Sequence, residues 1–255
     1  MSAMLDHVVA QVLSLQVRLL ACRERLAANT DSEALHDLRI AVRRLRSLLR
    51  PLRDLPGVEQ LEGAAGALGS LTTPLRDREV LAAELIARGV TGPGQRRLEG
   101  RGATFARVAS SAQLTRVLAI VDAFPLFLRA ADREGLVRAL DTRIDKRLDK
   151  QWRKLRKALA DPAHDRHRLR LLIKRARYGD EAYPQLEHAG KKLQRLLKKA
   201  QSDLGDWHDR LQWLLQAREH ADLAPCKIDW EQELHEAERK SDVTLEALQT
   251  ALQRR

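Results

Sequence analysis

His36-Asp37-Leu38-Arg39-Ile40-Ala41-Val42-Arg43-Arg44-Leu45-Arg46 is a stretch with two faces. Stepping about 100° per residue around a helix, His36, Arg39, Arg43, Arg46, Ser47 and Arg50 fall on one side. Leu38, Ala41, Val42, Leu45, Leu48 and Leu49 fall on the other. The stretch returns as His167-Arg168-Leu169-Arg170-Leu171-Leu172-Ile173-Lys174-Arg175-Ala176-Arg177, so that H-x-L-R-x-x-x-(R/K)-R-x-R occurs twice in the same register. In the second copy His167, Arg170, Lys174, Arg177 and Tyr178 share a face, opposite Leu169, Leu172, Ile173 and Ala176. Exposed helix faces usually mix signs, because opposite charges one turn apart relieve repulsion. A face that is cationic throughout carries a repulsion that an anionic partner cancels.

The rest of the chain fits a helical setting. Its 255 residues are long enough for a sizeable core. They are rich in Leu, Ala, Arg and Glu, with 4% aromatics and no convincing alternating strand pattern. Net charge is +11, from 46 Lys and Arg against 35 Asp and Glu. That points to an anionic partner without choosing among polymer, membrane and nucleic acid. Residues 1–128 contribute +4 and residues 129–255 contribute +7, so the second half dominates the field. Cys22 and Cys226 suggest neither a metal spacing nor a disulfide framework. The N-terminal text lacks signal-peptide features and no segment approaches an apolar membrane span, so the expectation is a soluble, cytoplasmic protein without membrane insertion.

Turn and breaker residues divide the helical text. Helices are expected over about Leu5–Leu26 and Glu33–Arg50, then to about Leu71, with Pro74 as a break before Arg76–Arg88. Gly89–Gly94 and Gly100–Gly102 read as a loose connector between halves. The second half predicts helices over about Leu114–Ala131, Gly135–Leu159, Asp165–Tyr183 and His188–Leu204. A break at Gly205-Asp206, a helix to about His220 and a last helix from Asp229 complete it. Arg76-Asp77 and His208-Asp209 are expected to open helices at equivalent places.

Two further helices carry basic faces. On 188–199, Lys191, Lys192, Arg195, Lys198 and Lys199, with His188, lie opposite Leu193, Leu196 and Leu197, and no acid interrupts them. On 143–159, Lys146, Arg147, Lys150, Arg153 and Lys154 lie opposite Ile144, Leu148, Trp152 and Leu155, with Asp145 and Asp149 at the border. The first of these ranks second only to the repeated motif as a site; the other ranks as a secondary basic helix. His36 and His167 are each followed by arginines or lysine at +3, +7 and +8, surroundings that repel a divalent cation, so no metal and no cofactor is expected. A phosphohydrolase site built on His36-Asp37 fails the repeat, where Arg168 replaces the acid. No phosphate-binding glycine loop or nucleophile elbow is present. The four Trp residues sit at apolar positions and read as core.

On these residues the chain resembles the CHAD family, the conserved histidine α-helical domain. The resemblance rests on the two basic motifs, Arg76-Asp77, the Lys-rich helix and Leu204-Gly205-Asp206-x-His208-Asp209. It covers essentially all of residues 1–255, read as one domain with repeats at 1–110 and 111–255. It implies an all-α fold of two four-helix bundles related by pseudo-twofold symmetry, and a basic surface that binds inorganic polyphosphate. Family members occur alone or fused to a CYTH triphosphatase domain; this chain resembles the stand-alone form. The first repeat departs from the pattern, because Val58–Gly66 carries acids where the Lys-rich helix carries cations.

The expected function is therefore non-enzymatic binding of polyphosphate, with targeting to polyphosphate granules compatible with it. The expected contacts are His36, Arg39, Arg43, Arg44, Arg46, Arg50, His167, Arg170, Lys174, Arg175, Arg177, Lys191, Lys192, Arg195, Lys198 and Lys199. Arginines suit bidentate phosphate contacts and lysines act as mobile point charges. One alternative is a nucleic-acid-binding helical protein, but the basic faces lack the interleaved aromatics suited to single strands. Nucleic acid is expected only as a weak competitor. The other alternative, a metal-dependent phosphohydrolase, lacks an acidic cluster. Oligomeric state and chain-length preference are not legible.

Overall fold

The computed structural model describes residues 2–161, 163 and 165–253. The chain is all-α, with no strand among the described residues. It forms two compact units, Met1–Ile144 and Asp145–Arg255. The division falls inside a helix, whereas the sequence reading divides the repeats at 110/111.

The first unit holds α1 (Ala3–Ala28), α2 (Ala34–Leu49), α3 (Val58–Ala87), α4 (Thr91–Leu98), α5 (Arg101–Ala109) and α6 (Ala112–Arg133). The Ser2 side chain accepts from the Leu5 N–H to cap α1, and Asn29, left-handed at φ 49°, ends it. Arg25 then bonds both Asp31 and Asp37, tying the end of α1 to the start of α2. Asp37, the acid the repeat does not share, therefore has a local structural partner. α1 packs on α2, α5 and α6; α3 packs on α2, α4 and α6. α6, placed by sequence in the second repeat, thus belongs to the first unit.

Two expectations fail here for identifiable reasons. Pro74 does not end a helix: α3 runs through it for 30 residues. A proline in a helix interior removes one N–H and crowds the carbonyl a turn earlier. Around Pro74, side chains serve the preceding turn: Thr72 and Thr73 hydroxyls donate to Leu68 and Gly69 carbonyls, and Arg39 of α2 donates to the Gly69 carbonyl. Likewise the glycine-rich text at 89–102 is no loose connector but contains α4 and the start of α5. Gly94 lets α4 approach α3 so closely that a Cβ there would lie 2.6 Å from Ile86 Cγ1 and 3.0 Å from the Ala82 carbonyl oxygen.

α1 also corrects the expectation that no segment reaches the length of a membrane span. It contains an 18-residue window of mean hydropathy 1.3, long and apolar enough to cross a membrane. Its residues Val8, Val12, Leu15, Leu19, Cys22 and Leu26 are buried in the unit's own core, whereas Leu13, Val17 and Leu20 are exposed.

α7 (Leu140–Leu159) crosses the division, and the second unit adds α8 (Arg166–Ala182), α9 (Lys191–Gln216) and α10 (Lys227–Gln253). Trp152, Leu155 and Leu159 of α7, Leu169, Ile173 and Ala176 of α8, Leu193, Leu197 and Leu204 of α9, and Leu248 and Leu252 of α10 share one apolar core. The leucine-rich faces opposite the cations thus supply the packing, each large side chain being worth roughly 1.5–3 kcal/mol when fully buried. Asp165 caps α8 by accepting from the N–H groups of His167 and Arg168. α9 is continuous through Gly205, so the expected break there is absent. A lone glycine costs a helix only about 1 kcal/mol relative to alanine, less than the burial of Leu204 and Trp207 on either side of it returns. Arg76-Asp77 and His208-Asp209 consequently lie inside long helices and open neither.

Candidate anion-binding faces

Both copies of the motif fold as expected, with the apolar side buried and the cations on the other side. Each lies beside a long helix of its own unit, and the two neighbours differ.

In the first unit α2 pairs with α3. Arg39 is half-buried and spends one nitrogen, Nη1, on the Gly69 carbonyl and the Thr72 and Thr73 hydroxyls at 3.1–3.2 Å. Burial, with Arg76 and Arg43 adding to it, lowers its pKa. Arg46, also half-buried, lies along the α3 glycines: its guanidinium is 3.9 Å from where a Cβ of Gly66 would sit and 3.8 Å from that of Gly69. Further along, Arg53 makes a two-bond ion pair with the buried Glu62 of α3. Burial alone would raise that carboxyl, but Arg53, followed by Arg50 and Arg46, holds it below the usual range. His36 is half-buried, and its pKa is lowered by burial and then by Arg76. Arg43 and Arg44 are exposed.

In the second unit α8 runs antiparallel to α9, as three cross-contacts show. Gln194 donates to Asp180 at 2.9 Å, Arg177 donates to Gln201 at 2.8 Å, and the rings of His167 and His208 lie 5.3 Å apart. Arg177 also pairs with Glu181 and covers the Tyr178 ring at 4.5 Å, so part of its capacity is committed. Arg170 and Lys174 are half-buried, and Arg175 is exposed. Both Arg170 and Lys174 bear on His208, whose pKa is lowered to about 4 by burial, then by Arg170, His167 and Lys174. Lys191, Lys192, Arg195 and Lys198 of α9 are exposed and form no ion pair among the described residues. Gln194, Gln201 and His208, seven residues apart, mark the α9 stripe that meets α8; Lys191 and Lys198 lie one turn from Gln194 on the same side.

The structure corrects two details of the basic helix on α9. Lys199 is not on an acid-free face: it bonds Asp203 at 2.7 Å and the Thr244 hydroxyl at 3.1 Å, so it looks towards α10. His188 does not join the lysines. It precedes α9 and faces Asp145 at 3.1 Å and Asp149 at 3.5 Å on α7. On α7 itself, Lys146, Lys150, Arg153 and Lys154 are exposed and Arg147 is half-buried.

Sequence reading used His208 and Arg76 as landmarks but left them out of the expected contacts, and the packing brings both to these faces. The signal was present: Arg76 lies 40 residues after His36 and His208 lies 41 after His167, and each interacts electrostatically with its motif histidine. Among the described residues no group of three or more His, Cys, Asp or Glu is arranged to hold a metal ion.

The solved CHAD domain from the plant Ricinus communis is similar to this chain, with a TM-score of 0.74 at 20% identity, covering 99% of this chain and 92% of that one. Among curated proteins none matches. The CHAD domain family model matches residues 11–218, which include both motif helices and all of α9 but stop short of α10. With the repeated His-and-Arg helices packed as described, the chain belongs to the CHAD-domain family.

Proposed function

We propose that this protein binds inorganic polyphosphate without chemically altering it, chiefly through the α8–α9 face of the second unit. The observation that carries this reading is the antiparallel pairing of two cationic helices: His167, Arg170 and Lys174 on one, with His208, Lys198 and Lys191 on the other. A phosphate chain offers repeated charge and no bases, so recognition must be electrostatic and geometric, and a pair of parallel-sided cationic ridges supplies both. The first unit contributes less, because Arg39, Arg46 and Arg53 are already engaged or laid against α3. We also read the two units as repeats of one plan, on the recurrence of the motif and of its long partner helix. A cytoplasmic location, without insertion of α1 in a membrane, belongs to the same proposal.

Competition between polyphosphate and duplex DNA at matched ionic strength tests it. Polyphosphate is expected to win, with affinity falling steeply in salt; the slope of log K against log salt is about −0.9 per phosphate contact for DNA, and a linear polyanion follows the same law in kind. Preference for DNA, or an affinity indifferent to salt, overturns the reading. Release of phosphate from the polymer in the presence of divalent cations would replace it with an enzymatic one.

A further inference from the structure

His208 is set apart from the other residues of the α8–α9 face. It is half-buried in α9, beside the Trp207 ring at 6.2 Å and the His167 ring at 5.3 Å. Its Nδ1 is buried and has no hydrogen-bond partner among the described residues. The charged groups that bear on it come from α8 and are Arg170, His167 and Lys174. On its own helix Asp209 follows it, and Asp206 is drawn towards Arg210 at 3.9 Å. From α10, Asp242 is engaged by Arg166 at the start of α8. The imidazole is therefore neutral near neutral pH, held so by burial and then by Arg170, His167 and Lys174.

We propose that His208 is the proton-accepting element of this face: a bound phosphate chain neutralises Arg170 and Lys174 and draws a proton onto His208, so the second unit grips its ligand more tightly in acid. This rests on the polyphosphate reading above and adds its regulation. On the first unit's face the motif histidine, His36, stands without a second histidine across from it. Arg76 holds the matching place on α3, lowers the pKa of His36, and is itself permanently charged and paired with Glu79 at 3.1 Å. Two faces built on one motif thus differ in make-up: the second sets two histidines 5.3 Å apart, and the first sets one histidine beside an arginine.

Calorimetric titration of the full chain with inorganic polyphosphate of defined length, in two buffers of different ionisation enthalpy at pH 6, reads proton uptake directly. Uptake is expected, together with an affinity that rises between pH 7.5 and 5.5 by up to about tenfold for each pH unit over which one proton is taken up. His208→Arg should bind more tightly than the parent at pH 7.5 and lose most of the uptake. His208→Gln should lose the acid tightening, and it serves as the second variant if the arginine proves too large for the site. Binding by the parent without proton uptake, or unchanged uptake in His208→Gln, overturns this inference alone. Absence of polyphosphate binding at every pH overturns the functional reading with it.

Discussion

α2–α3 and α8–α9 begin from the same basic motif and arrive at different surfaces. In both, the motif helix buries its leucine face and turns its cations towards a long antiparallel neighbour. What differs is the neighbour. Across from the second motif, α9 adds Lys191, Arg195 and Lys198; across from the first, α3 offers Gly66 and Gly69 and a buried Glu62. The arginines of α2 respond by lying down on α3 or bonding its carbonyls and hydroxyls. A cationic motif specifies where charge is placed, and the facing helix decides whether that charge stays available.

The largest effect that bears on this difference should come from α9. Replacing Lys191, Lys192, Arg195 and Lys198 together with Ala is expected to weaken polyphosphate binding between about thirtyfold and a thousandfold, at about 0.5–1 kcal/mol per exposed contact. Removing four cations elsewhere, Arg18, Arg23, Arg88 and Arg116, should cost far less. Equal losses in a titration at fixed salt would mean that net charge alone matters and that the two units do not differ.

Converting the first unit towards the second gives a smaller effect of opposite sign. Nothing lies within 4 Å of a Cβ built on Gly63, and one on Gly66 meets only the Arg46 guanidinium at ordinary contact distance. Gly63→Arg with Gly66→Lys should therefore fold and raise affinity severalfold. The control pair Gly63→Ala and Gly66→Ala should leave affinity alone and raise thermal stability, by about 0.5–1 kcal/mol each. A destabilised alanine variant would show that the stripe is required for packing.

The smallest effect concerns the unliganded protein. The His208 pKa of about 4 lies below its unfolded value near ~6.5, so the unfolded chain binds more protons between those limits. Stability is full above pH 6.5 and is lost as pH falls towards 4; His36, shifted the same way, adds to the loss. His208→Gln should flatten that part of the melting-temperature profile, and a profile identical to the parent's would show that the environment of His208 is not the one described here.

The amphipathic faces were legible because helical periodicity is local: every apolar residue assigned opposite the cations of α2 is buried, and so are the four tryptophans. Breaks were less legible, because whether a proline or glycine ends a helix depends on what surrounds it. α3 continues through Pro74 with the Arg39 guanidinium bonded beside it to Gly69, Thr72 and Thr73, contacts between helices that sequence alone does not place together. The acid that meets Lys199 was missed because Asp203 lies one turn beyond the stretch taken as the basic face. His188 was misplaced because it is outside the helix on which it was projected. The contrast between Val58–Gly66 and the Lys-rich helix was visible in the sequence; that Gly66 and Gly69 form the floor under Arg46 required the antiparallel register.

α10 has a practical consequence. It lies beyond residue 218, where the family match ends, yet Trp230, Leu248 and Leu252 are buried, Trp230 stacks within 5.4 Å of Trp213, and Thr244 completes the Lys199–Asp203 contact. Burying three such side chains is worth about 1.5–3 kcal/mol each, a sum comparable with the whole stability of an ordinary domain. A fragment trimmed to the matched residues would leave the apolar side of α9 open to water and would precipitate or self-associate, and any loss of ligand binding in it would report solubility instead of recognition.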